Sequence, residues 1–147
     1  MKAEGSVSTC FKIITGVRQG DIWSPLMFGL AIDFVMRQAV DKNNRGITLI
    51  PRRSSRYPEV RFSDLDYADD IALFKESDIR MAETTEAIRK IAGKLGLHMS
   101  FKKTELMSIG KSTSPNPIVP LGNEGNIKVV EHFKYLGVFS SADGTYV

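Results

Sequence analysis

Leu65-Asp66-Tyr67-Ala68-Asp69-Asp70-Ile71-Ala72-Leu73-Phe74 decides how the rest of the chain is read, because two adjacent carboxylates sit inside an otherwise apolar, β-prone run. Val60 to Ala68 and Ile71 to Phe74 are rich in β-branched and aromatic residues, and the Asp69-Asp70 pair between them has the spacing of a two-residue hairpin turn. Such a turn needs positive φ values, which Asp-Gly or Asn-Gly meet easily. Asp-Asp meets them less well and sets like charges side by side. A divalent cation compensates for that repulsion. Mg2+ takes oxygen from one or two carboxylates and fills its shell with phosphates and water. Asp69 and Asp70 are therefore candidate metal ligands, although a plain surface turn carries the same residues.

Upstream of the hairpin, Ser24-Pro25 predicts the start of a helix running to about Val40. Serine is a favoured N-cap, proline fits the first turn, and Leu26, Leu30, Phe34 and Met27, Ala31, Val35 recur at helical intervals. After polar Asp41 to Asn44, Ile47 to Ile50 reads as a short strand and Pro51 to Pro58 as a loop. Between positions 45 and 61, five arginines (Arg45, Arg52, Arg53, Arg56, Arg61) face only Glu59. That run suits contact with phosphates, and a solvated loop has the same composition. Downstream, Asp78 is expected to cap a second helix. It carries Met81, Ala82, Ile88, Ile91, Ala92 and Leu95, and stops at Gly96. Ile91, Leu95 and Met107 read as core. From Lys111 to Asn126 the chain is loop-like, and Ile127 to Val130 with Phe133 to Phe139 reads as a terminal strand pair.

Composition is consistent with one domain: 147 residues, 42% hydrophobic and 25% charged, with a net charge of only +3. The longest apolar stretch, Pro25 to Met36, is broken by Asp33 and is well short of the roughly 20 residues of a membrane span. The first residues lack the apolar core of a secretory signal. The expectation is an intracellular protein, of cytoplasm or nucleus, with no membrane partner. The single Cys10, with only His98 and His132 beside it in the sequence, offers no zinc spacing and reads as a small apolar filler.

The tetrapeptide Tyr67-Ala68-Asp69-Asp70 resembles the catalytic turn of reverse transcriptases, and three more blocks follow that family's order. Gly16-Val17-Arg18-Gln19-Gly20-Asp21 with Ser24-Pro25-Leu26-Met27-Phe28 resembles its nucleotide- and template-holding loop and helix. Gly96-Leu97 to Lys103-Thr104-Glu105 resembles the next palm block. Phe133-Lys134-Tyr135-Leu136-Gly137 resembles the hairpin that grips the primer end. The Tyr-Leu-Gly ending and the Gly-Val-Arg-Gln-Gly opening are most similar to non-LTR retrotransposons.

The resemblance implies an α+β palm fragment over 1–147, with a small antiparallel sheet and helices packed on one face. Its parts would be a nucleotide-binding loop and helix over 16–40, a catalytic hairpin over 60–74, a helix and lysine block over 78–107, and a primer-grip hairpin over 127–139. It implies Asp69 and Asp70 as ligands of Mg2+, with Mn2+ as a substitute, and Lys103 as the group that neutralises or protonates the leaving pyrophosphate. Arg18, Gln19, Gly20, Tyr67 and Ala68 would lie against nucleotide and template, and Tyr135, Leu136 and Gly137 would form the primer grip. Arg52, Arg53 and Arg56 would run along the nucleic-acid backbone. Substrates would be deoxynucleoside triphosphates and a primer annealed to an RNA or DNA template.

Departures from the family pattern carry expectations of their own. Ile22-Trp23 replaces the usual Pro-Leu continuation of the glycine loop, and Gly29 stands where asparagine is frequent. Residues 1 to 15 contain no aspartate, although the strand carrying the first catalytic aspartate would precede Gly16. The expectation is a missing upstream palm and fingers segment, no activity for the chain alone, and self-association through an unpaired edge and an over-wide apolar helix face. A non-catalytic relic, or an adopted nucleic-acid- or protein-binding module, is the alternative.

Overall fold

The computed structural model describes residues 20–40, 46–110 and 117–145 in full and residues 2–3 and 6–7 by their backbone. Cys10, Arg18 and Gln19, singled out above, lie outside the described residues. Two helices and ten short strands make up the described fold, so the α+β expectation holds. The strands form five separate two-stranded ladders rather than one sheet. No described helix is long and apolar enough to cross a membrane.

Helix α1, Trp23–Ala39, begins one residue before the expected serine cap. The Asp21 carboxylate accepts from the Trp23 N–H at 3.3 Å and the Asp21 carbonyl from the Ser24 N–H at 3.2 Å. The helix boundary is Ile22, which brings no side-chain cap, and Asp21 takes up the first two free N–H groups of the helix start instead. Gly20, just before it, adopts φ +89, a conformation that costs glycine little. Helix α2, Asp78–Lys94, is capped by Ser77, whose hydroxyl accepts from the Arg80 N–H at 3.4 Å. Asp78 instead serves as an acid in the first turn, where the helix dipole favours it. Beyond α2 the Leu97 N–H reaches the Ala92 carbonyl and the Gly96 N–H that of Gly93, with Gly96 at φ +75. This is a Schellman stop at the expected glycine.

Strand β1 (Lys2–Ala3) pairs with β2 (Ser6–Val7), and β3 (Ile47–Ile50) with β4 (Val60–Phe62). Gly46 is needed at the start of β3, since a Cβ there would lie 2.1 Å from the Phe62 carbonyl oxygen. Val60 to Ala68 is not the single strand expected. At Ser63 the chain changes partners, and β5 (Asp64–Tyr67) pairs antiparallel with β6 (Asp70–Leu73). The terminal segments differ as well. Strand β8 (Lys128–Val129) runs parallel to β7 (Glu105–Leu106), while β9 (His132–Tyr135) and β10 (Val138–Ser141) pair with each other. The cause is Ile127, which is buried with Leu106, Val119 and Leu121 and so draws the start of β8 away from β9.

Two apolar clusters hold these pieces together. Val35, Met36, Ala39 and Val40 close on Ile88 and Ala92 of α2, with Ile71 and Leu73 of β6 packed against them. The second cluster, Leu106, Val119, Leu121 and Ile127, packs on Met81 and Ala82, and Met99 touches both. Ile91 packs on the first cluster and Met107 is half-buried, but Leu95, expected in the core, is 46% exposed. Trp23, Leu26, Met27, Leu30 and Phe34 form an exposed apolar stripe on α1, away from α2.

Leu121 is 2% exposed and Phe34 is 50% exposed, so truncating them should have unequal costs. Urea unfolding is expected to show a loss of about 2–5 kcal/mol for Leu121→Ala and less than about 1 kcal/mol for Phe34→Ala. Equal losses would show that the outer face of α1 is buried in solution.

Candidate active site

The acidic hairpin closes one residue earlier than the sequence suggests. Tyr67 pairs with Asp70, so Ala68 and Asp69 are the turn residues and Asp70 is the first residue of β6. Ala68 has φ +54 and Asp69 does not share the positive sign, the pattern of a type II′ turn. In this register only one of the two acids occupies the tip. The accompanying strain falls on Ala68, at about 1–2 kcal/mol for a non-glycine residue in this region.

Register also sorts the hairpin's side chains by face. Asp64 pairs with Leu73 and Asp66 with Ile71, so these two acids share the face that packs toward α1 and α2. Leu65, Tyr67, Asp70 and Ala72 occupy the opposite face. Tyr67 is 64% exposed, and Ala68, Asp69 and Asp70 are exposed with it. The tip therefore presents hard carboxylate oxygens beside an accessible aromatic ring. Such donors suit Mg2+, which accepts one or two carboxylates and completes its shell elsewhere. Among the described residues, no group of three or more His, Cys, Asp or Glu is placed to hold a metal ion.

Asp66, on the helix-facing side of the hairpin but still exposed, is an acid that the sequence reading passed over. Its pKa is raised, first by partial withdrawal from water, then by the Asp64 and Asp33 carboxylates. Asp33, on α1, is itself held by the Arg37 guanidinium at 2.9 Å. The signal was available: moving the turn by one residue shifts the pairing by two, so either register leaves Asp66 on the face of Ile71 and Leu73. Lys75, just past β6, has a buried Nζ without a hydrogen-bond partner among the described residues. Burial lowers its pKa, Asp64 opposes that shift, and Arg80 adds to it.

Tyr135, at the end of β9, reaches the same hairpin. Its hydroxyl donates toward the carbonyl oxygens of Leu65 at 3.2 Å and Asp70 at 3.4 Å. Its pKa is raised by burial, and further by Asp66 and Asp70, so the phenol stays protonated and a donor. Leu136 and Gly137 form the β9–β10 turn with φ values of 49 and 90, both positive as a type I′ turn requires. The tip of the terminal hairpin is thus brought to the acidic hairpin.

Other expected residues stand apart. Lys103 is exposed in a turn closed on the Ser100 carbonyl, and no ion pair among the described residues joins it to Asp69 or Asp70. Arg52, Arg53 and Arg56 are exposed on the loop between β3 and β4. Arg61 leaves that basic set: it donates to the Gly46 carbonyl at 2.8 Å and pairs with Glu76 and Glu59.

The family model described as reverse transcriptase (RNA-dependent DNA polymerase) matches residues 2–139. A retrovirus-related Pol polyprotein from the type-1 retrotransposable element R2 of Popillia japonica is 24% identical over 152 aligned positions. The alignment covers 95% of this chain and 20% of that polyprotein, so the chain spans about one fifth of the relative's length.

The raised pKa of Asp66 makes a signed prediction. Its folded pKa lies above the unfolded one, so the folded state holds the proton more tightly and stability falls as pH rises between the two values. Asp66→Asn should therefore raise the melting temperature at pH 7, with the gain fading below about pH 4. Glu86 works in the opposite sense. The Arg89 hydrogen bond, opposed by desolvation and helped by the Arg89 charge and then by Lys90, holds it at about 2, and its stabilisation is lost as pH falls from 4.5 toward that value. Melting curves of the unaltered chain and of Asp66→Asn from about pH 2 to 8 provide the check; a lower melting temperature for Asp66→Asn at pH 7 would contradict the reading.

Proposed function

Because the chain belongs to the reverse transcriptase family, of the non-LTR retrotransposon type, we propose that it supplies part of the palm for RNA-directed DNA polymerisation. The observation that carries the reading is the hairpin with Asp69 at its tip, Asp70 on its first rung and Tyr67 open beside them. Asp69 and Asp70 would hold Mg2+, or Mn2+ in its place, and the bound ions would stabilise the attacking and leaving oxygens of nucleotidyl transfer. The chain's own residues do the rest of the work. Tyr67 offers a ring face on which a base or sugar rests, and Ala68 keeps the tip low enough for close approach. Tyr135, Leu136 and Gly137 present a turn at the primer end. Arg18, Gln19 and Gly20 would line the nucleotide and template, and exposed Lys103 would meet the leaving pyrophosphate.

Substrates on this reading are deoxynucleoside triphosphates and a primer on an RNA or DNA template. The loop between β3 and β4 would track phosphates through Arg52, Arg53 and Arg56 without reading sequence. Two carboxylates from one turn do not by themselves hold two ions in reacting geometry, and a further carboxylate from another strand would complete the site. The 147-residue chain alone would then be inactive, and the bare apolar face of α1 favours its self-association.

Metal binding is tested by adding Mn2+ to the isotopically labelled chain and following paramagnetic broadening. Broadening should appear first at Tyr67, Asp69 and Asp70 and be lost in the Asp69→Asn, Asp70→Asn double variant; broadening centred on Glu83 and Glu86 would reject the assignment. Backbone contact is tested by changing Arg52, Arg53 and Arg56 together to alanine. Affinity for a mixed-sequence duplex should fall, and the log–log salt slope should shrink by about 3. An unchanged slope would leave the loop as a solvated surface.

A further inference from the structure

The outer half of the acidic hairpin has little packing of its own. Ile71 and Leu73 tie its inner face to the helix pair, while Leu65, Tyr67, Asp69 and Asp70 are exposed. The turn is also strained at Ala68, whose φ of +54 suits glycine better than alanine. A carboxylate pair acting on metal must nevertheless be held to a fraction of an ångström. Something other than local packing has to fix the turn.

One side chain is in place to do so. Along β9 and β10, Tyr135 pairs with Val138 and Phe133 with Ser140, whereas Lys134 pairs with Phe139 on the other face, its ammonium 5.1 Å from the ring centre. Alternation thus turns Tyr135 away from the Lys134 and Phe139 face, and its hydroxyl lies within 3.2 Å and 3.4 Å of two carbonyls of the acidic hairpin. One carbonyl belongs to Leu65 of β5 and the other to Asp70 of β6, so a single phenol spans both strands beside the turn. A carbonyl oxygen has two lone pairs and can take this donor in addition to its ladder partner. The Leu136-Gly137 turn that follows fixes where the end of β9 points.

We propose that the Tyr135 hydroxyl is a strut that sets the position of the Ala68-Asp69 turn, which makes Tyr135 a positioning residue for Asp69 and Asp70. Its place at the terminal hairpin tip couples the seat of the primer end to the seat of the metal. This inference rests on the reading of Asp69 and Asp70 as metal ligands. A primer that displaced the tip of β9–β10 would move both carboxylates with it.

The test uses the full 147-residue chain and Tyr135→Phe, which keeps the ring and removes only the hydroxyl. Amide hydrogen exchange is measured residue by residue, and Mn2+ affinity is measured on the same samples. Loss of one shared hydrogen bond should accelerate exchange at Tyr67, Asp70 and Ala72 by roughly 3- to 10-fold and weaken Mn2+ binding by a similar factor. Exchange at Val35, Met36 and Ile88 should stay within about twofold of the unchanged chain. Unchanged hairpin exchange, or equal acceleration throughout the chain, overturns the strut. The Asp69→Asn, Asp70→Asn variant separates this from the metal reading. Should that variant bind Mn2+ as before while Tyr135→Phe still loosens the hairpin, the metal assignment fails and the strut stands. If instead the double variant loses Mn2+ and Tyr135→Phe changes nothing, the strut fails alone.

Discussion

The packing of Ile71 and Leu73 against Val35, Met36, Ala39, Ile88 and Ala92 is the contact on which the rest depends. It joins the acidic hairpin to the helix pair, and it does so with alternate residues of one four-residue strand. Two-stranded hairpins are marginal in water, so the helices provide the platform that the ladder alone lacks. The same alternation decides the electrostatics. With Ile71 and Leu73 inward, Asp64 and Asp66 must also face the helices, and Asp70 must face away. A site that presents Asp70 to solvent therefore carries Asp66 toward Asp33 as a consequence of period two.

Both hairpin tips hold a non-glycine residue in the left-handed region, Ala68 and Leu136. Strain of this kind persists only where neighbours over-determine the backbone. Here the two strained tips are neighbours of one another through Tyr135. The second core, around Val119 and Leu121, stabilises a different part of the chain. It anchors the segment that leads into β9, and through Met99 it is continuous with the first.

Much of this organisation was legible in the residues. The two helices, the glycine stop at Gly96, strand β3 and the acidic hairpin follow from periodicity and turn chemistry. What was missed came from competition between near-equal local signals. Helix α1 starts after Ile22, which brings no side-chain cap, and Ser77 caps α2 one residue before the residue chosen from sequence, because several short polar side chains lie near each helix start. The turn lies at Ala68-Asp69 rather than Asp69-Asp70, with the positive φ carried by Ala68. The parallel pairing of β7 with β8 is set by burial of Ile127, which joins segments far apart in the chain and leaves no local pattern. Of the site residues, Asp69, Asp70 and Tyr67 stand out by motif. The hydroxyl of Tyr135 and the place of Asp66 on the helix-facing side of the hairpin emerge only once strand faces are assigned.

The central claim is that Asp69 and Asp70 form part of a polymerase metal site to which another strand must contribute. Template-directed primer extension by the purified 147-residue chain, in Mg2+ and in Mn2+, tests it most directly when set against the Asp69→Asn, Asp70→Asn variant. The account predicts no extension above that control, since one turn cannot fix two ions in line with a primer hydroxyl. Extension that the unaltered chain performs and the double variant does not would contradict it, and would mean that the residues present already complete the site.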